Sequence, residues 1–351
     1  MLALLLLACA PTASAPSTAE PSPPSSPRAE PNHPVLATDG PPQSLPGLCE
    51  PSGAARDAEG RVWLVDDDQR DALYSWTPGT VPIRTAVPDR PWKDAEGLAI
   101  DTHGDLWLTG SHGRARGSGK VGRRATVARL DSAPGWRLAF ATDALRPGRD
   151  PAELEPLLEA VHARCQGCAP LDGAGGEVDG EALDIEAIAW HDDQLLLGLR
   201  APLSGRSAVV FSVEPARLQA GAAPADAVVA AWTLPLDGRG IRDLTPAADG
   251  GLLVLAGSPS ASNQPGPALY HWLPGTPATL LGALPAPGSP PEAIVHDGPG
   301  AAWLFLDEGQ RLASGLRAGG PHADTTGTFE CGANQASDWA RALHVTWPAA
   351  P

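Results

Sequence analysis

The chain has 351 residues and a formal net charge of −16, enough length to bury a large core in one domain or two modest ones. The acidic balance sets it against a nucleic-acid backbone as partner, because phosphates would meet net repulsion. No apolar run reaches the ~18 residues of a membrane-spanning helix, and 39 Gly with 39 Pro stay below the level that marks low-complexity disorder.

In chain order, the first element is a targeting segment. Leu2 to Ala8 is an uninterrupted apolar run that ends at Cys9, too short to span a bilayer but long enough for a signal-peptide core. Leu6-Leu7-Ala8-Cys9 resembles the lipobox of bacterial lipoproteins, whose Cys is lipidated and becomes the mature N-terminus. No Lys or Arg precedes the run, a departure from that pattern. The alternative is a plain secretory signal cut near Ala15. Both place the protein outside the cytoplasm, as a cell-envelope or outer-membrane lipoprotein or else as a secreted or periplasmic one. Residues 1–9 are therefore read as the signal and lipobox segment. Residues 10–33, Pro, Ser, Ala and Thr with almost no large apolar side chain, are read as a disordered tether.

From residue 34 to 351 a repeat governs the chain. One copy runs from Ser52-Gly53-Ala54-Ala55 to Val62-Trp63-Leu64-Val65, the next from Glu96-Gly97-Leu98-Ala99 to Leu106-Trp107-Leu108. Three more begin at Glu186-Ala187-Ile188, Arg242-Asp243-Leu244 and Glu292-Ala293-Ile294. Each reads as strand, polar turn, strand, and one or two further strands follow most copies. Four antiparallel strands per unit, repeating mostly at 44 to 56 residues, is the arithmetic of an all-β protein, a β-propeller. Five four-stranded blades are expected, with six as the alternative. The last blade has only two strands of its own. Its missing strands are sought at Ala342 to Trp347 and near Pro34 to Ala37, so that both termini close the ring.

The 90 residues between Glu96 and Glu186 hold a helical insertion rather than a further blade. Asp150, Pro151 and Glu153 form an N-terminal cap. Leu154, Leu157, Leu158 and Val161 give one apolar stripe, expected to pack on the rim of the second blade. Cys165-Gln166-Gly167-Cys168 follows the helix end, where the dipole has the wrong sign for a redox thiolate, so a local disulfide is expected. Cys49 and Cys331, brought together if the ring closes, form the second expected bridge.

Leu183-Asp184-Ile185-Glu186-Ala187-Ile188-Ala189, Gly198-Leu199-Arg200-Ala201-Pro202-Leu203, Gly238-Arg239-Gly240-Ile241-Arg242-Asp243-Leu244 and Leu269-Tyr270-His271-Trp272 stand in order. Together they resemble the bacterial family known as domain of unknown function 3616, over roughly residues 45 to 310. The resemblance implies a propeller-like exported or surface protein with no established activity. The Glu-Gly-Leu-Ala-Ile-Asp unit is also distantly similar to propellers related to phytases and other esterases.

Equivalent repeat positions form rings around a propeller axis. The first ring is Ser52, Glu96, Glu186, Arg242 and Glu292; the second is Asp67, Ser111, Arg200, Gly257 and Asp307, with Asp66, Asp68, His112, Arg239, Asp243 and Glu308 beside them. The expected ligand-binding set is Glu96, Glu186, Arg200, Arg242, Asp243, Glu292, Asp67 and Asp307. Such a set pairs internally, holds a cation, or offers Arg forks to an anion, and Arg200 with Arg242 are the expected anion anchors. No cofactor is expected, Ca²⁺ being the alternative. The leading reading is a monomeric exported propeller that binds a small ligand or protein partner at its channel mouth, touching the membrane only through its anchor. The alternatives are a metal-assisted hydrolase or phosphoesterase and a structural or assembly scaffold. No zincin, nucleophile-elbow or phosphate-loop motif occurs.

Overall fold

The computed structural model describes residues 34–348 apart from 68, 70, 88–91, 93, 113–125, 133–135, 143–154, 170, 172–182, 261–263, 285–288 and 309–338. The tether, the lipobox, the expected helix cap and Cys331 lie outside the described residues.

Four antiparallel sheets follow one another along the chain. The first contains β3 (Pro51–Arg56), β4 (Val62–Asp66), β5 (Ala72–Trp76) and β6 (Ile83–Ala86). The second contains β7 (Ala95–Ile100), β8 (Leu106–Gly110), β9 (Val127–Asp131) and β10 (Arg137–Thr142), the third β11 (Asp184–His191), β12 (Gln194–Ser204), β13 (Ser207–Val213) and β14 (Val228–Leu234). The fourth holds β15 (Gly240–Pro246), β16 (Leu252–Gly257), β17 (Ala268–Trp272) and β18 (Thr279–Ala283). The fifth is made by both ends of the chain. There β19 (Pro291–His296) and β20 (Ala301–Leu306) continue into β21 (Ala340–Thr346), which is covered by β1 (Ala37–Thr38) and β2 (Gln43–Leu45). The inner strands β3, β7, β11, β15 and β19 pack in that cyclic order, with β19 returning to β3. The fold is a five-bladed β-propeller.

The repeat explains the hairpins. In blade one the Asp57 amide donates to the Arg61 carbonyl, Gly60 takes the left-handed φ of 82° that closes the turn, and Trp63 Nε1 donates to Asp57 Oδ2 at 2.9 Å. The same Asp–Trp staple recurs between Asp101 and Trp107 (3.0 Å) and between Asp297 and Trp303 (2.8 Å). Blades one and four share a second device, in which the indoles of Trp76 and Trp272 donate to the carbonyls of Thr80 and Thr276 across a Pro-Gly turn.

The core lies between blades. One apolar cluster joins blades one and two through Trp63, Leu98 and Leu108, and another joins blades five and one through Tyr74, Trp76 and Phe305. Trp76 meets Trp303 edge-on at 5.2 Å, and Trp107 stacks on Trp190 at 6.2 Å. The Trp residues therefore serve as wedges between sheets.

Helix α1 (Glu155–Arg164) buries Leu157, Leu158, Ala160 and Val161. It lies on β14, the outer strand of blade three, rather than on the rim of blade two. The reason is local: Cys165 bridges to Ala231 of β14, and the apolar stripe fills the seam where blade three meets Trp107 and Val127 of blade two. Two short helices, α2 (Pro215–Gln219) and α3 (Pro224–Ala227), join β13 to β14. Neither was anticipated from the sequence; Pro215 stands just inside α2 and Gly221, φ 72°, just past it, as helix ends favour.

Ring closure is tied down at several points. The Leu36 amide donates to the Ala283 carbonyl (2.9 Å) and the Ala283 amide to the Pro34 carbonyl (2.8 Å), so the N-terminal segment grips blade four before entering blade five. Cys165 and Cys168 are disulfide-bonded. Cys49 is disulfide-bonded as well, and it sits on the seam, its carbonyl accepting from the Glu308 amide. Non-reducing peptide mapping is expected to recover Cys49 joined to Cys331; a Cys49 peptide joined elsewhere contradicts that pairing.

At the axis the inner strands nearly touch. A Cβ on Gly53 would lie 2.7 Å from Gly97 Cα, and one on Gly97 would lie 3.0 Å from the Ile188 amide nitrogen. Gly53→Ala is expected to lower the urea-derived unfolding free energy by about 3 kcal/mol through overpacking. Gly266→Ala, which meets nothing within 4 Å, should stay within about 0.5 kcal/mol of wild type. Equal effects from the two would remove close axial packing as a constraint.

Candidate functional site

The same irregularity occurs in all five inner strands. Pairing with the second strand skips one residue between Pro51 and Gly53, Ala95 and Gly97, Ile185 and Ala187, Ile241 and Asp243, and Pro291 and Ala293. The skipped residues are Ser52, Glu96, Glu186, Arg242 and Glu292, the whole of the first ring expected from sequence. A β-bulge leaves its extra residue out of the ladder and re-aims its side chain. Four charged residues and one Ser are thereby released from the sheets at one mouth of the axis.

They meet across blades. Arg242 Nη1 donates to Glu186 Oε2 at 3.0 Å and to Glu292 at 2.8 and 2.7 Å, linking blades three, four and five. Arg200, from the second ring, donates through Nη1 to Glu186 Oε1 at 2.6 Å and to Asp184 Oδ2 at 3.4 Å, and through Nε to the Ser258 carbonyl at 3.3 Å. Gly257 makes room for this arrangement, since a Cβ there would crowd Arg242 Cγ at 3.1 Å and Nε at 3.2 Å. Glu186 and Arg242 are 3% and 6% exposed, so both charges are sealed and depend on each other. Burial works against the charge on Arg200, but Glu186, Asp184 and Glu292 more than offset it and hold the guanidinium above its ordinary pKa.

The other side of the mouth is acidic. Burial, then the charges of Asp94, Glu186, Asp67 and Asp184, push the Glu96 carboxyl well above the usual carboxylate range. Burial also raises Glu292; Arg242 opposes it and Glu186 and Asp307 add to it, leaving the group at about 8. Around the ring these two carboxyls flank Ser52, whose hydroxyl donates to the Ala95 carbonyl at 2.5 Å. Asp67 and Asp307 stand near enough to act on Glu96 and Glu292 respectively.

The remaining expected residues have structural roles. Asp243 is fully buried and accepts from the amides of Leu244 and of Ile294 in the next blade, both at 2.8 Å. It staples blade four to blade five, and burial raises its carboxyl well above the ordinary range. Asp66 accepts from the amides of Cys49, Glu50 and Gln69. Glu308 accepts from Ser289 and Arg341. Arg239 donates to the Gly266 carbonyl inside blade four, and Asp68 lies outside the described residues. Ser111 donates to Asp94 at 2.5 Å while His112, at φ 59°, turns its Nδ1 to the Gly110 carbonyl; the two do not form a Ser–His pair.

Sequence reasoning did not select Asp94 and Asp184. Each lies two residues before a ring Glu, but Asp94 stands just before β7 with φ 62° and Asp184 beside a register shift of β11, so the alternation of a regular strand does not select them. Among the described residues, no group of three or more His, Cys, Asp or Glu is placed to hold a metal ion. A carboxyl raised on folding takes up a proton that the unfolded chain releases, so its contribution to stability is lost as pH rises toward the folded pKa. The wild-type Tm is therefore expected to fall between about pH 5 and about pH 9, and Glu292→Gln to flatten that fall by several degrees. A parallel decline in the variant would contradict a raised Glu292.

Residues 178–277 match the family model described as Protein of unknown function (DUF3616), consistent with a protein of that family. No curated protein matches the chain. Among solved structures, Myxococcus xanthus glutaminyl cyclase is 13% identical, with 90% of this chain and 98% of that chain covered and a TM-score of 0.45. The PQQ-bound aldose sugar dehydrogenase of Streptomyces coelicolor is 13% identical over 89% and 99%, with a TM-score of 0.43. Virginiamycin B lyase from Staphylococcus aureus is 14% identical, with a TM-score of 0.33; 75% of this chain is covered, and the match spans 66% of the lyase. These likenesses concern fold alone.

Proposed function

We propose that this protein is an exported, lipid-anchored propeller whose charged mouth binds a small ligand through a cationic amine or guanidinium group. The observation that carries the reading is the state of the mouth. Both Arg side chains are already engaged by Glu186, Arg200 also by Asp184, while burial and neighbouring acids raise the carboxyls of Glu96 and of Glu292, the second against the opposing charge of Arg242. Further negative charge would add to that repulsion. A positive group arriving beside Ser52 instead allows Glu96 and Glu292 to ionise, so binding would release protons. Disulfide-bonded Cys165, Cys168 and Cys49 support an oxidising compartment, in keeping with the apolar leader and Cys9.

Calorimetric titration with spermidine, arginine amide, Ca²⁺ and citrate tests this, run in two buffers of different ionisation enthalpy. Spermidine or arginine amide should bind with net proton release and at least about tenfold more tightly at pH 8 than at pH 6. Glu96→Gln should weaken either by about tenfold. Arg200→Met and Arg242→Met, which unbalance the mouth toward negative charge, should retain binding wherever they fold. Citrate binding that is lost in the two Arg variants would instead establish the Arg pair as an anion anchor.

A second reading is hydrolysis at the same mouth. It is favoured by one observation, a carboxyl near pH 8 beside an Arg-bound carboxylate, which is the pairing general acid–base chemistry uses. A screen of ester and phosphoester substrates, with and without divalent metals, decides it: turnover abolished by Glu292→Gln supports catalysis, and no turnover removes it.

A further inference from the structure

The inner strands end on the face of the ring opposite the charged mouth. There a cleft of about 740 Å³ opens between blades one and two, a size that suits a small-molecule site. Its walls are the turn from Asp57 to Arg61 between β3 and β4, the turn from Asp101 to Gly104 between β7 and β8, and Ser132 with Trp136 where β9 turns into β10. A smaller axial cavity of about 210 Å³ lies beside it, and the two share Arg56, Asp57 and Ile100.

Two indoles line the cleft. Trp63 and Trp136 meet edge-on, with centroids 4.9 Å apart and planes at 80°. Trp63 is buried and committed: its Nε1–H donates to Asp57, and the Arg61 guanidinium lies 5.6 Å from its ring centre. Trp136 is only half-buried. In the next seam Trp107, the counterpart of Trp63, is 1% exposed and packs against Trp190 and Phe140.

The charges of the lining nearly balance. Arg56 pairs with Asp297, and Arg61 Nε with Asp57. Asp101 accepts from the amides of His103 and Asp105 and from Trp107 Nε1. Glu59 reaches Arg61 only at 3.4 Å, and both side chains are more than half exposed. An anion entering here meets Asp57, Glu59 and Asp101; a cation meets Arg56 and Arg61. Neither sign gains much. What the cleft offers is an indole beside exposed donors and acceptors, Arg61, Glu59, Thr102, His103 and Ser132.

We propose that this cleft binds a neutral saccharide, with the apolar face of one sugar ring against Trp136 and its hydroxyls bonded to the Glu59 and Arg61 rim. A pyranose carries C–H groups on its faces and hydroxyls around its edge, the complement of an aromatic surface with a mixed polar border. Each hydroxyl both donates and accepts, which suits a carboxylate and a guanidinium side by side. The site shares no residue with the charged mouth.

The test is an NMR titration of nitrogen-15-labelled full-length protein with the neutral sugars cellotriose, maltotriose and chitotriose and with anionic trigalacturonate. The Trp136 Nε1–H resonance, assigned with Trp136→Phe, is followed. At least one neutral sugar should move it and saturate below about 10 mM, and trigalacturonate should bind more weakly than that sugar. Trp136→Ala should weaken the sugar by at least about tenfold. Trp136→Phe, which keeps an aromatic face, should lose less, and Glu96→Gln at the charged mouth should lose nothing. No saturation by any of the three sugars, tighter binding of trigalacturonate, unchanged affinity in Trp136→Ala, or a loss in Glu96→Gln overturns the assignment. Should Trp136→Ala not fold, the wild-type titration decides alone, and an unmoved Trp136 resonance overturns the site.

Discussion

Five strands run side by side around one axis, so close that a Cβ on Gly53 would meet the Gly97 backbone at 2.7 Å and one on Gly97 would press on Ile188 at 3.0 Å. That crowding dictates what surrounds it. The position is Gly in blades one and two and Ala in blades three and five. Asp243 in blade four is admitted because its carboxylate takes backbone amides from its own strand and from the next. Immediately before this tight position every strand bulges by one residue. Apart from Asp243 the tight position carries only Gly and Ala, and the other charges stand toward the two ends of the strands.

The two ends differ in kind. At the start of the strands, charges are concentrated and mutually dependent: Arg242 joins Glu186 to Glu292, and Arg200 ties Glu186 to Asp184. A buried network of this sort is weak evidence for stability, because desolvation costs about as much as pairing returns. Its value lies in a charge balance that an arriving group can alter. At the far end the strands close on a cavity with apolar walls whose rim carries Arg56, Asp57 and His296. Neither end competes with the other for residues.

The sequence displayed the propeller clearly because the hairpin repeat is regular, and its turns carry Asp, Gly and Trp at fixed offsets. The first ring was legible for the same reason: position in the repeat predicts position around the axis. The roles within that ring were not legible. Asp243 stands one position after the ring, where the other blades carry Gly or Ala, and its use as a backbone staple follows only from the Ile294 amide of the next blade. The bulges were also invisible, being a property of pairing rather than of composition. The cavity at the far end escaped because its polar residues sit at strand ends that look like ordinary hairpin flanks. Arg56 stands beside Asp57, yet its guanidinium pairs with Asp297, more than two hundred residues away.

The account rests on the claim that the bulges bring Glu96 and Glu292 into surroundings where they keep their protons near neutral pH. Carbon-13 NMR of selectively labelled glutamate side chains measures this directly, with Glu96→Gln and Glu292→Gln used for assignment. The account predicts that both carboxyl resonances titrate well above the ordinary carboxylate range, Glu292 near pH 8. Two ordinary titrations near pH 4 would contradict it.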